Sequence, residues 1–166
     1  NTDLSKNISS LIRYSEPEKN KKTLFVWPEG VFTGYNFEQI KEYKALFEVA
    51  FSENHLILFG SNTEVVSAKK NKKFNSLIIA NNKLDIKFQY NKIKLVPFGE
   101  FLPLENFLGK FGLKKITEGY GSFSSGTINN IFTINNFRIL PLICYEIIFP
   151  ELSTANKNLI INISED

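Results

Sequence analysis

Leu142-Ile143-Cys144-Tyr145-Glu146 ends a nearly continuous apolar run that begins at Phe137. A run of strand length without regular polar alternation suits a strand covered on both faces, as in layered α/β proteins. The chain turns polar as the run ends. Cys144 is the only cysteine in 166 residues, Glu146 lies two positions on, and Pro150 follows. A lone thiol at a strand end reads either as a nucleophile or as a small buried hydrophobe. The stretch alone leaves both open, and the choice turns on whether a base and a cation lie elsewhere in the chain.

Working outward, Ile131 to Ile134 and Phe137 to Ile143 read as a hairpin about Asn135-Asn136, since Asn tolerates positive φ. Pro141 inside the second strand points to an edge position or a bulge. Pro150 can open a helix to about Lys157, and Leu159 to Ile163 reads as a final buried strand. Upstream, Glu118 to Gly126 is rich in Gly and Ser and reads as a flexible, exposed loop. Leu104 to Phe111 reads as a short helix, and Lys92 to Pro103, with two prolines and Gly99, as a structured loop. Phe74 to Ala80 and Leu84 to Gln89 flank Asn81-Asn82 as a two-residue hairpin. Asn62 to Asn75 reads as a lysine-rich connection with an irregular strand in it.

His55 to Gly60 and Thr23 to Trp27 are further apolar strands, the latter expected to be buried on both faces. Phe37 to Phe51 is the clearest helix, with Ile40, Tyr43, Phe47 and Ala50 inward and Glu38, Lys41, Glu42 and Glu48 outward. Leu4 to Tyr14 reads as a helix capped by Thr2 or Asp3. Apolar strands thus alternate with amphipathic helices, and hairpins are inserted. The expected class is α/β, layered about a mixed, largely buried sheet.

Composition narrows the function. The chain is 43% hydrophobic and 22% charged, which fits a single globular domain rather than disorder. A net charge of +3 is too small and too scattered to argue for nucleic acid. The lysine pairs at 21–22, 69–70 and 72–73 read as solvated loops. No apolar run approaches the roughly 18 residues of a membrane span. The chain neither begins with Met nor opens on a signal peptide, so it is expected to be a segment of something longer.

Three polar residues sit where loops leave strands: Glu29, Lys92 and Cys144. Such positions gather ligands and catalysts in α/β folds. A thiol needs a base or a nearby cation to react fast at neutral pH. His55, the only histidine, begins a strand without a polar companion and reads as structural. A carboxylate would then take the proton, with a lysine for the oxyanion. One His and one Cys make a poor metal-ligand set, so neither metal nor cofactor is expected. Taken singly, each residue also has a plainer reading: Glu29 as a turn carboxylate, Lys92 and Lys94 as exposed strand-end residues, Glu100 as a solvated loop residue.

Trp27-Pro28-Glu29 resembles the first motif of the nitrilase, or carbon-nitrogen hydrolase, superfamily. Tyr90-Asn91-Lys92-Ile93-Lys94-Leu95-Val96-Pro97-Phe98-Gly99-Glu100-Phe101-Leu102-Pro103 resembles its lysine motif, in the version of the bacterial apolipoprotein N-acyltransferases. Ile143-Cys144-Tyr145-Glu146 resembles the cysteine motif of that family. The resemblance covers nearly the whole chain and implies a nitrilase-like αββα sandwich.

It further implies a triad in which Glu29 is the general base, Cys144 the nucleophile and acyl carrier, and Lys92 the oxyanion cation, helped by the Tyr145 N–H. Glu100 would be a second carboxylate beside it, with Tyr145 and Glu146 in positioning roles. The reaction implied moves a fatty acyl group from a phospholipid, through a Cys thioester, to the N-terminal diacylglyceryl-cysteine of an apolipoprotein. That places the enzyme at the bacterial inner membrane, with this domain facing the periplasm and membrane helices upstream.

Departures stand beside the match. Gly30-Val31-Phe32 follows Glu29 where the family has Thr or Ser, then Ala. Ser164-Glu165-Asp166 stands where the family has Asn-Asp leading into Trp-Phe-Gly. On this resemblance, residues 1–166 form a partial catalytic domain that lacks the family's first strand and C-terminal part, and the isolated segment is expected to be inactive. Two other readings remain: a nitrilase-type amidase acting on a small amide, and a non-catalytic remnant.

Overall fold

The computed structural model describes residues 4–66, 71–101, 122–127 and 131–165. Two β-sheets lie face to face. The first has the order β1 (Thr23–Val26), β2 (His55–Val65), β3 (Lys72–Ala80), β4 (Ile86–Asn91); β1 runs parallel to β2 and the other pairs are antiparallel. The second has the order β5 (Phe132–Ile134), β6 (Phe137–Ile143), β7 (Leu159–Ile163), with β5 antiparallel and β7 parallel to β6. Leu58, Leu77, Ile79 and Tyr90 of the first sheet pack against Ile143 and Ile163 of the second. The fold is therefore mixed α/β.

Helices α1 (Leu4–Ser15), α2 (Phe37–Lys41) and α3 (Lys44–Ala50) cover the outer face of the first sheet. Side chains alternate along a strand, so Ile57 and Phe59 face the helices while Leu58 faces the second sheet. Trp27, Phe32, Phe37 and Phe59 form an aromatic cluster there, with centroids 5.4–6.3 Å apart around Phe59. Asn36 caps α2 reciprocally with Gln39, each side chain bonding the other's backbone N–H. The outer face of the second sheet packs Leu140 and Leu142 against Leu152 and Phe149 of short 3₁₀ turns. Among the described residues, no helix is long and apolar enough to cross a membrane.

Several elements differ from the pattern-based expectations. The helix over 37–51 is two helices broken at Glu42 and Tyr43, although Ile40 and Phe47 are fully buried as expected; no Pro or Gly forces the break. The stretch 62–75 is no irregular connection. β2 and β3 continue as a paired ladder from Ile57↔Ala80 out to Val65↔Lys72. Apolar patterning fades at Ser61 because Ser61, Asn62 and Asn75 line a cleft and the tip beyond, at Glu64 and Val65, is exposed.

The β3–β4 turn spans residues 81–85 rather than two residues. The Asn81 side-chain oxygen accepts from the Lys83 and Asp85 N–H groups, and Leu84 takes φ 56°. The β5–β6 turn is the two-residue hairpin expected. Pro141 is in a central strand, yet among the described residues β5 pairs only with residues 137–139 and not with Pro141.

β1 is not buried on both faces: Val26 is 47% exposed. It is the first strand of its sheet, and an open cleft of about 490 Å³ separates it from Ile139 and Leu159 of the second. The same gap leaves Leu159 exposed on β7, which is less buried than expected. The segment after Pro150 is a 3₁₀ turn to Ser153 only. His55 is structural, and it does have companions: Ser52 N–H donates to Nδ1, so Nε2 carries the hydrogen that reaches the Glu18 carbonyl. The expected helix at 104–111 and the cap at Thr2 or Asp3 lie outside the described residues.

Phe59 is fully buried at the centre of the aromatic cluster. Phe59→Ala is expected to cost about 3–5 kcal/mol in denaturant unfolding followed by Trp27 fluorescence. Val49→Ala, on the exposed face of α3, is expected to stay within about 0.5 kcal/mol of the parent.

Candidate active site

β1 ends at Val26, and Pro28 stops the strand pattern by removing a backbone donor. The chain then enters a 3₁₀ turn, Glu29–Phe32, with Glu29 first. β2 passes directly beneath. A Cβ on Gly60 would overlap the backbone of Glu29, so only glycine permits this approach. Across the cleft, Gly30 leaves room for the Glu165 carboxyl, which any larger residue there would displace.

Lys92 follows β4, and its backbone extends the ladder by one residue. Its N–H donates to the Asn75 carbonyl (2.9 Å) and its own carbonyl accepts from Gly126 N–H (2.8 Å). Its side chain is 2% exposed. A buried ammonium is costly unless paired, and here Nζ lies 2.9 Å from Glu100 Oε1 and 3.6 Å from Glu29 Oε1. Burial pulls the Lys92 pKa down, but the charges of Glu100 and Glu29 outweigh it, and the ammonium is held above its usual value. Burial pushes the Glu29 carboxyl above the ordinary carboxylate range, while the Asn75 amide and the Lys92 charge pull against it. Glu100 is no solvated loop residue: its Oε2 accepts from Val96 N–H while its own N–H donates to the Val96 carbonyl, closing the loop on itself.

Cys144 follows β6 directly and opens a 3₁₀ turn with φ 56°. A side chain in this left-handed region costs about 1–3 kcal/mol and persists only where its surroundings enforce it. Glu146 supplies that enforcement. Its fully buried carboxylate accepts from Ile143 N–H (2.9 Å), Ile93 N–H (2.7 Å), Lys94 N–H (3.0 Å) and the Tyr90 hydroxyl (3.0 Å). One carboxylate thus ties the cysteine turn to the lysine loop. Burial first, then the charge of Glu146, hold the Tyr90 phenol protonated as its donor. Tyr145 adds a second tie, its hydroxyl donating to the Leu95 carbonyl (2.8 Å), with Lys92 Nζ 5.6 Å from its ring centre.

Glu29, Lys92, Glu100 and Cys144 all line one cleft of about 760 Å³, with Asn75, Val96, Phe123 and Glu165 in its walls. Lys94 points elsewhere, to Glu151 (2.8 Å). Of the loop expected to be flexible over Glu118 to Gly126, the described residues 122–126 are tied to the site by Phe123 N–H to the Glu100 carbonyl and by Ser125 Oγ to the Ile93 carbonyl. Pattern reading missed Asn75, whose amide nitrogen bonds both Glu29 (2.8 Å) and Glu100 (2.7 Å). Its sequence signal was weak, since Asn75 stands with Lys72, Lys73 and Ser76 in the polar half of β3.

The carbon-nitrogen hydrolase family model matches residues 1–164. The chain belongs to the carbon-nitrogen hydrolase family. Curated relatives of this chain include proteins named apolipoprotein N-acyltransferase. The one from Brucella suis is 34% identical over 154 residues, covering 89% of this chain and 29% of the relative. That from Rhizobium leguminosarum bv. trifolii is 32% identical over 163 residues, covering 92% and 30%. The chain thus spans about three tenths of the length of these relatives.

Among solved structures, a glutamine-dependent NAD+ synthetase from Acinetobacter baumannii superposes with TM-score 0.63 at 17% identity, covering 99% of this chain and 30% of that one. A mutant amidase from Nesterenkonia sp. AN1 superposes with TM-score 0.58 at 14% identity, covering 98% and 61%. At such identities the likeness establishes the fold, which is that of the nitrilases.

Glu146 accepts backbone donors on both of its oxygens. Either orientation of a glutamine amide would set an NH₂ against an N–H. Glu146→Gln is therefore expected to lower unfolding stability by about 1–3 kcal/mol, and to raise the reactivity of Cys144 toward bulky thiol reagents as the turn loosens.

Proposed function

We propose that this protein is an N-acyltransferase that moves a fatty acyl group from a phospholipid to the α-amine of a diacylglyceryl-cysteine at an apolipoprotein N-terminus. The observation that carries the proposal is the buried Lys92 ammonium held between two carboxylates in the cleft that Cys144 lines. The relatives' names supply the substrate class. On this reading residues 1–166 belong to a nitrilase-like catalytic domain that works at the bacterial inner membrane, on its periplasmic side.

Glu29 takes the thiol proton of Cys144, and Sγ attacks the ester carbonyl of the phospholipid. The tetrahedral oxyanion is stabilised by the Lys92 ammonium and the Tyr145 backbone N–H. The C–O bond breaks, the lysophospholipid alkoxide takes the proton from Glu29, and the acyl group remains as a Cys144 thioester. The acceptor amine then attacks the thioester, loses its proton to Glu29, and leaves as an amide while the thiol is restored. Glu100 keeps Lys92 charged and in place, and Tyr145 and Glu146 hold the two loops in register.

The complete protein, incubated with a fluorescent phospholipid and a diacylglyceryl lipopeptide, is expected to move label from lipid to peptide. Release of ammonia from small amides without lipid transfer would replace this reading with an amidase. In single-turnover mass spectrometry with lipid alone, Cys144 is expected to gain one acyl group. Cys144→Ser, Glu29→Gln and Lys92→Met should each lower transfer by at least about 10³-fold.

The pH profile has a defined sign. Glu29 acts as a base only when ionised, and burial places its pKa above the ordinary carboxylate value. Transfer should therefore fall as pH drops through a midpoint above that of a free glutamate. A midpoint at or below the free value would remove Glu29 from the role of base.

A further inference from the structure

Asn75 lies on β3 opposite Asn62 of β2, on the face of the first sheet that looks into the cleft. Its amide nitrogen sits between two carboxylates, 2.8 Å from Glu29 Oε1 and 2.7 Å from Glu100 Oε1. Acceptors on both sides require the nitrogen there rather than the amide oxygen, and its two N–H bonds are both spent, one on each carboxylate. Lys92 Nζ spans the same two oxygens at 3.6 and 2.9 Å. A closed ring results: two carboxylate oxygens between one ammonium and one neutral amide.

Two carboxylates this close ordinarily compete for a single proton, and which one holds it is set by their surroundings. Here the surroundings are unequal. Glu100 has both oxygens engaged, Oε1 by Lys92 and Asn75 and Oε2 by the Val96 N–H. Glu29 has Oε1 engaged by Asn75, and among the described residues no hydrogen bond reaches its Oε2. The charged and titratable groups around Glu29 are Lys92 and Glu100, with Cys144 and Glu165 lining the same cleft.

We propose that Asn75 is a positioning residue that joins the two carboxylates: by donating to both Oε1 atoms it favours their ionised forms side by side, so that Glu100 stays the partner of Lys92 and Glu29 Oε2 is left to receive the Cys144 proton. The proposal rests on the reading of Glu29 as base. Lys92, 2.9 Å from Glu100 and 3.6 Å from Glu29, sets which acid pairs with the cation, and Asn75 supplies the hydrogen bond that Lys92 does not give Glu29.

The test is the rate of Cys144 alkylation by iodoacetamide against pH in the complete protein, read at the Cys144 peptide by mass spectrometry. It needs no lipid, so a parent protein that fails to transfer acyl groups would defeat the acyltransferase reading while leaving this measurement intact. Asn75→Ala is expected to move the acid limb of the profile up by about one pH unit, with alkylation at the foot of the limb about tenfold slower and the alkaline plateau retained. Asn75→Asp, which also adds a charge, should move it further. Asn75→Ser keeps one donor, should fall between parent and Ala, and decides the matter if Asn75→Ala does not fold. In acyl transfer, kcat should fall with little change in KM for phospholipid. Superimposable alkylation profiles for the parent and the folded variants would overturn the proposal.

Discussion

The buried ammonium of Lys92 is the constraint on which the rest of the site depends. A cation 2% exposed is tolerable only with opposite charge at hand. Two loops that leave the same end of the first sheet, from its opposite edges, supply it. Glu29 arrives from the end of β1 and Glu100 from the loop after β4. Three further features bring those carboxylates within reach. Gly60 lets β2 run beneath Glu29, and the bonds between Glu100 and Val96 fold the loop back. Asn75 joins the two acids from below.

The second sheet is coupled to the first by a different carboxylate. Glu146 is buried and, among the described residues, forms no ion pair; its charge is met by backbone N–H groups and one phenol. Backbone donors are fixed in direction, so a carboxylate that satisfies three of them determines the relative placement of their segments. The left-handed backbone of Cys144 is held by the same bonds. Two buried acids therefore divide the work. Glu100 answers a charge and Glu146 answers geometry.

The aromatic layer under the helices gives this arrangement a firm base. Trp27 immediately precedes Pro28 and Glu29, and its ring packs with Phe32, Phe47, Phe51 and Phe59 while its Nε1 donates to Ser15. The turn that carries Glu29 is thus flanked by two buried rings, Trp27 before it and Phe32 at its end. Displacement of Glu29 would disturb a packed core, which resists small shifts.

The amino-acid sequence by itself determined the α/β class, most strand positions, the β5–β6 hairpin, and the three strand ends that carry Glu29, Lys92 and Cys144. These follow from local rules: apolar runs, the φ range of Asn, and the breaks made by Pro and Gly. The full length of the β2–β3 ladder was not legible, because it runs on through the polar, cleft-lining Ser61, Asn62 and Asn75 to an exposed tip at Glu64 and Val65. The break at Glu42 and Tyr43 left no local mark either. Only the tertiary structure decided that Lys92 is buried while Lys94 is turned to Glu151, that Glu100 is a partner rather than a solvated acid, and that Asn75 touches both carboxylates. Charge pairing and burial are set by residues far apart in the chain, up to 71 positions between Glu29 and Glu100. No local pattern encodes which of two neighbouring lysines will face inward.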